Sequence, residues 1–219
     1  MATRSQGKIR ELRALFAGVG VQVEDLGDVD IAERDDEDAI ECYATFEENA
    51  LAKARWFARS LPGRTIIADD SGLAVRALGG EPGVRSKRWC ARPGVAGTAL
   101  DSANNALLVE RLAGVADRRA QFVCAAAWVR GGVEVITTGV VDGTIVDAAS
   151  GAHGFGYDPH FHVGELGMTL GDASVAEKER VSHRARAFRS LLARLEAAGL
   201  ASSDVRAPGV SRGGAGRRS

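Results

Sequence analysis

The sequence predicts an α/β fold, a single domain in which helices pack on a sheet, and three features point to it. Residues 7–20 and 45–61 carry apolar side chains at helical spacing, residues 121–129 and 133–140 are long strand-like apolar runs, and Ile66-Ile67 is a short buried strand leading into Asp69-Asp70. Acidic residues where a strand gives way to a turn lie at the rim at which open α/β sheets hold ligands. At 219 residues the chain can bury a sizeable core. It exceeds the common single domain of about 100–150 residues, which leaves room for two lobes.

In chain order, the first helix places Ile9, Leu12, Leu15, Phe16 and Val19 at helical spacing and stops at Gly18 and Gly20. Thr45-Phe46-Glu47-Glu48 is a capping box that opens a second helix, ended near Leu61 by Pro62-Gly63. Asn49 and Lys53 then share one face of it. After the Asp69-Asp70 turn and the Gly-rich residues 78–83 comes a helix over about 101–112. The strands 121–129 and 133–140 meet at Arg130-Gly131-Gly132, a hairpin turn, and a short strand follows at 144–146. Gly154-Phe155-Gly156-Tyr157-Asp158-Pro159 reads as a loop, and Ser182 caps a last helix with Phe188, Leu191, Leu192 and Leu195 on one face. Residues 201–219, rich in Ser, Gly, Arg and Pro, read as a disordered tail beyond a domain of residues 1–200.

Lys plus Arg number 28 and Asp plus Glu 29, a balance that points away from nucleic acid or an acidic membrane and toward a small-molecule partner. No apolar run approaches the roughly 18 residues of a membrane span, and the N-terminus lacks a basic-then-apolar signal pattern, so the expected location is the cytoplasm. Cys42, Cys90 and Cys124 are odd in number with no C-x-x-C spacing, which argues for reduced thiols, Cys124 within the core.

Four groups of residues carry candidate chemistry. Asp69 and Asp70 are neighbours on an extended backbone and so face opposite ways: one can hold a divalent cation while the other orients water or anchors the turn. Thr3-Arg4-Ser5-Gln6-Gly7-Lys8 precedes a helix whose free amides attract phosphate, with Lys8 adding a point charge, though the spacing is not that of a Walker A loop. Glu41 ends an acidic run just ahead of the second helix. With Asp70 it would suit magnesium, which takes few carboxylates and keeps waters and substrate phosphate oxygens. Lys178, His183 and Arg184 supply donors near the start of the last helix, and Phe155 offers a ring for a planar base.

The order of these pieces resembles the inosine triphosphate pyrophosphatase family, also called the dITP/XTP pyrophosphatases. The resemblance runs from Ala2 to about Leu200. Its segments are Thr3-Arg4 through Lys8, Thr45-Phe46-Glu47-Glu48-Asn49-Ala50 with Lys53, Ala68-Asp69-Asp70-Ser71-Gly72-Leu73, Leu78-Gly79-Gly80 with Pro82-Gly83, Gly154-Phe155-Gly156-Tyr157-Asp158-Pro159, and Glu177-Lys178 followed by Ser182-His183-Arg184. The resemblance implies a two-lobed α/β fold around a long mixed central sheet flanked by helices, a homodimer, and hydrolysis of ITP, dITP or XTP to the monophosphate and pyrophosphate. It implies Asp70 as general base, Glu41 and Asp70 as the Mg²⁺ site, and triphosphate contacts from Thr3, Arg4, Ser5, Gln6, Gly7, Lys8 and Lys53. Ser71, Phe155, Gly156, Tyr157, Asp158, Lys178, His183 and Arg184 match the remaining substrate contacts. On that reading water attacks the α-phosphorus, and donors from His183 and Arg184 favour bases with an oxygen at C6 over adenine.

The sequence departs from the family pattern at Ser5, where asparagine is usual, and in having no apolar strand ahead of Thr3. Cys42-Tyr43 stands where Thr-Gly is common, and Met168 where a lysine often precedes Thr169. Ser5 and the missing strand motivate an alternative, a nucleotide-binding protein with weakened or lost turnover. A metal phosphatase with an aspartyl-phosphate intermediate is a third reading; Asp69-Asp70 suits it poorly, because that chemistry wants a D-x-D spacing.

Overall fold

The computed structural model describes residues 1–90 and 94–200, and its spine is a meander of three long strands. β1 spans Ile66–Val75, β2 Arg119–Arg130 and β3 Val133–Ile145. β1 pairs with β2 from Ile66↔Val129 to Val75↔Ala120, and β2 with β3 from Arg119↔Thr144 to Arg130↔Val133. Gly131 and Gly132 alone separate β2 from β3, at φ +55° and +83°, the left-handed pair that lets a two-residue turn follow the twist of its strands. β4 (Phe161–Val163) and β5 (Met168–Thr169) complete the order β1-β2-β3-β4-β5. The α/β class holds, with helices flanking the sheet, and the pairings among the described residues are all antiparallel where the family resemblance implies a mixed sheet.

Two strand expectations change. Ile66-Ile67 opens a strand of 10 residues, so Asp69 and Asp70 sit in mid-strand, opposite Ala126 and Ala125, and not at a turn. The turn preference of Asp-Asp-Ser-Gly yields because pairing with β2 satisfies the backbone while Lys8 and Arg184 satisfy the carboxylate of Asp69. Residues 144–145 are the end of β3, not a separate strand.

Helix α1 (Gln6–Ala17) starts at Ser5, whose hydroxyl accepts from the Lys8 amide, and α2 (Phe46–Ser60) at Thr45, whose hydroxyl accepts from the Glu48 amide. Glu48 reaches back to the Thr45 hydroxyl, at 2.8 Å. Helix α3 (Gly97–Arg111) begins ahead of the expected residue 101. Helix α4 (Val175–Val181) is too short for its periodicity to stand out, though Ser174 and Glu177 form a complete capping box. Helix α5 (His183–Ala197) starts at Ser182 as expected. The tail, 201–219, lies outside the described residues. Among the described residues no helix is long and apolar enough to cross a membrane.

Three cores share this one sheet. One face of its Ile66 end, with Cys124, Ala126 and Trp128, packs against α1 and α5. The other face, with Ala125, Ala127 and Val129, packs against α2. Toward Val75 the strands enter a separate core of Leu108, Leu112, Phe122, Phe161 and Leu170. Asp69 and Asp70 fall between these two ends of β1, where helices from both faces converge.

Candidate active site

Strand alternation sends the two carboxylates to different helices. Asp69 is fully buried; its Oδ2 meets Lys8 Nζ at 3.0 Å and accepts from Arg184 Nε at 3.1 Å. Burial alone would raise its pKa, but Lys8, Arg184 and Lys53 overcome it and hold the carboxyl far below the usual range. Asp70 turns the other way. Its Oδ2 accepts from Asn49 Nδ2 at 2.9 Å and its Oδ1 from the Ser71 amide at 2.9 Å. Here burial prevails, reinforced by Glu41 and opposed by Lys8 and Lys53, and the pKa is raised. Neighbouring carboxylates pushed in opposite directions mark a division of labour: Asp69 is a fixed anion, and Asp70 is the stronger base.

Helix α2 supplies the surroundings of Asp70. Asn49 is buried, its Oδ1 accepting from the Tyr43 amide at 2.9 Å, so one side chain ties residue 43 to β1. One turn later Lys53 forms an ion pair with Glu41. Burial would lower the pKa of Lys53, but Glu41, Asp69 and Asp70 more than reverse this and keep it a cation. Glu41 is likewise pushed up by burial and pulled down further by Lys53 and Lys8. Lys8, Glu41, Lys53, Asp69 and Asp70 thus form one electrostatic unit drawn from α1, the acidic segment, α2 and β1.

A second polar cluster abuts the first through Arg184. Its guanidinium also donates to Ser71 Oγ at 2.8 Å and to Glu11, and Glu11 pairs with Lys178. Lys178 reaches Asp158 at 2.6 Å. The Phe155 ring lies beneath both cations, its centroid 4.8 Å from Lys178 Nζ and 5.6 Å from the Arg184 guanidinium carbon. It also lies against Gly7, where a Cβ would fall 2.3 Å from the ring, so only glycine leaves room for Phe155 beside α1. His183 stacks on Phe122 with centroids 4.7 Å apart, and its Nδ1 has no hydrogen-bond partner. Burial first, then Arg184 and Lys178, drives its pKa well below the ordinary value, so the ring is neutral at pH 7. A Cβ on Gly139 would lie 2.2 Å from the His183 carbonyl, so the bare backbone of β3 is what seats the start of α5 here.

Other residues of the expected site are engaged with the protein itself. Arg4 donates to Glu37 at 2.8 Å and 3.1 Å and to the carbonyls of Ile31 and Ala32, so it ties down the acidic segment. Thr3 is buried and its hydroxyl accepts from the Ser5 amide at 3.2 Å, while Gln6 is exposed at the first turn of α1. No strand precedes α1 among the described residues, yet the Ala2 amide donates to the Ile67 carbonyl at 2.8 Å and lays the N-terminal residues along β1. Tyr157 turns into the third core and donates to the Ser86 carbonyl at 2.8 Å. Both peptide groups of Gly156 bond to side chains of α3.

A family model described as the Ham1 family matches residues 1–194. The chain belongs to the Ham1 family. It is 46% identical over 202 residues to a protein of Bordetella parapertussis named dITP/XTP pyrophosphatase, covering 91% of each. A Burkholderia pseudomallei protein of the same name is 48% identical over 198 residues, covering 89% of this chain and 91% of its own. The solved Ham1 protein of Staphylococcus aureus superposes with a TM-score of 0.73 at 37% identity, covering 90% of this chain and 97% of that one. The resemblance read from the motifs is therefore borne out.

In this Ham1-family chain, sequence reasoning missed Glu11, which holds both Arg184 and Lys178. Its signal was a carboxylate next to Leu12 and one helical turn beyond Lys8, on a helix otherwise read for its apolar face. Asn49 stands in a family-like segment and shares a face with Lys53, but its contact with Asp70 depends on a strand met later in the chain.

Proposed function

We propose that this chain hydrolyses non-standard purine nucleoside triphosphates, such as ITP, dITP and XTP, to the monophosphate and pyrophosphate. The observation that carries this reading is the extent of its likeness to proteins named dITP/XTP pyrophosphatase, 46–48% identity across about nine-tenths of both chains. The chemistry around Asp70 supports it: a base of raised pKa lies among cations that suit a polyphosphate.

In the proposed reaction Asp70 accepts a proton from water as its oxygen bonds to the α-phosphorus. The bond from that phosphorus to the α,β-bridging oxygen breaks, and pyrophosphate leaves with the oxygen. Lys8 and Lys53 offset the charge gathering on the leaving group, where electrostatic stabilisation is most effective. Asp69 keeps Lys8 and Arg184 aligned. Phe155 stacks on the purine, and neutral His183 beside Arg184 keeps a buried ring nitrogen without a protein partner. Discrimination between a C6 oxygen and an amino group by buried donors can reach about 10⁴-fold.

The donor set fits Mg²⁺. Glu41 and Asp70 are hard oxygen ligands that sense each other's charge, and burial has already raised Asp70, a cost a cation would offset. When bound, Mg²⁺ would polarise the phosphate oxygens. The family resemblance further supports a homodimer, and a nucleotide-pool substrate supports the cytoplasm.

The test is incubation of ITP, XTP, GTP and ATP with and without Mg²⁺, scoring pyrophosphate against orthophosphate. Pyrophosphate from ITP and XTP that depends on Mg²⁺ is expected, with Asp70→Asn slower by about 10²–10⁴-fold. Orthophosphate as product, or full activity in Asp70→Asn, would refute the reading.

A further inference from the structure

Gly156 lies beside Phe155, and its peptide groups are held from outside the loop. Its amide donates to Asp101 Oδ2 at 3.0 Å and its carbonyl accepts from Asn105 Nδ2 at 2.9 Å. Asp101 and Asn105 stand four apart on α3 and so present one face to the loop. Gly156 is at φ +61°, a left-handed conformation in which both peptide groups are captured. The other end of the Asn105 amide is a buried oxygen without a partner. A buried, unpaired acceptor is costly, so what favours asparagine here is the single bond its Nδ2 makes to Gly156.

Helix α3 belongs to the third core through Leu108 and the C-cap residue Leu112, whereas the Phe155 ring reaches across to Gly7 of α1 and to Lys178 and Arg184. The loop thus bridges two parts of the molecule, anchored in one and delivering its ring to the other. From within, Asp158 fixes the loop by accepting from the Phe155 amide at 2.8 Å and from Lys178. A ring that only filled a gap would be held by its own packing. Clamping both peptide groups of the next residue fixes the reach and tilt of the ring instead.

We propose that Asp101 and Asn105 are positioning residues that set the Phe155 ring for stacking on the purine base. The inference rests on the reading of Phe155 as a base contact. The test compares binding of IMP, which carries the base, with binding of pyrophosphate, which does not, by calorimetry in the presence of Mg²⁺, alongside ITP turnover. Asp101→Ala and Asn105→Ala are expected to weaken IMP and raise the KM for ITP about tenfold, equivalent to ~1.4 kcal/mol. Pyrophosphate binding should stay within about twofold. Asp101→Asn, which retains an oxygen for the Gly156 amide, should restore IMP binding.

Unchanged IMP binding in the alanine variants, equal losses for IMP and pyrophosphate, or a wild-type chain that does not bind IMP would overturn the clamp. IMP binding without ITP turnover would sink the proposed reaction alone, and the variant comparison would still decide the clamp. Should an alanine variant fail to fold, amide exchange of Gly156 in the wild-type chain decides. Slow exchange supports the clamp, and exchange at the rate of an open loop refutes it.

Discussion

Asp69→Asn removes one charge from a fully buried position. The side chains have nearly the same shape, so no cavity opens. The asparagine oxygen can take the Oδ2 position that meets Lys8 at 3.0 Å and Arg184 at 3.1 Å, leaving its amide where Oδ1 now has no partner. What is lost is the counter-charge of the half-buried Lys8 and the buried Arg184. Removing one partner of a buried ion pair costs about 3–5 kcal/mol, because the survivor is left uncompensated. The lower end applies here, since Arg184 keeps Glu11. A loss of about 3 kcal/mol in a chain of this size lowers the melting temperature by about 6–12 °C. Urea unfolding with an unchanged m-value is the assay, and a loss below about 1 kcal/mol would refute the role of Asp69 as the charge that holds the cluster.

The pH dependence follows from the direction of the shift. The folded carboxyl lies far below the unfolded value of about 3.9, so its stabilisation is complete above that pH and is lost only as pH falls through the folded value. The stability gap between the two proteins should therefore be constant from about pH 8 to pH 5 and close only in stronger acid. A gap that closed between about pH 7 and 5 would assign the effect to a histidine instead.

In Gly139→Ala, the added methyl meets backbone atoms at 2.2 Å and 2.4 Å, so unfolding should be easier by about 1–3 kcal/mol in thermal or urea melts. In thiol titration at pH 8, Cys42, which is exposed, should react in the native protein. Cys124, whose pKa is raised by burial and by Asp69, should react only after denaturant is added. Arg4→Gln releases the acidic segment from its Glu37 fork and should speed protease cleavage within residues 31–41, with a stability loss of about 1–2 kcal/mol.

Much of this site could be read from local chemistry. Ser182 before His183-Arg184, Thr45 before Glu48 and the Gly131-Gly132 turn are signals complete within a few residues, and each element begins or turns where they stand. What was hidden depends on partners far along the chain. Glu11 meets Arg184 across 173 residues, and Arg4 looks like a phosphate ligand until Glu37 claims it. Asp69-Asp70 was misjudged for the same reason. Its turn chemistry is local, whereas the Ala125-Ala126-Ala127 run that makes it a strand lies some fifty residues on.

That alanine run also explains how charged groups reach β1, which is buried on both faces over most of its length. Ala125, Ala126 and Ala127 are wholly buried, and the helices answer with small residues of their own, Ala50 and Ala54 on α2 and Ala185 and Ala187 on α5. Small residues on both sides of a contact let helix and sheet approach closely. Only then can a side chain as short as Asn49 bond to Asp70 from one face while Arg184 bonds to Asp69 from the other. A larger residue at Ala125 or Ala126 would lift a helix and lengthen those bonds. Register matters equally, because a slip of one residue would send every side chain of β1 to the opposite face. Asp69 would then meet Asn49, and Asp70 would meet the cations. The apolar partners of Ile66 and Ala68 against α2, and of Ile67 against α1 and α5, fix the register and with it which carboxylate meets Arg184 and which meets Asn49.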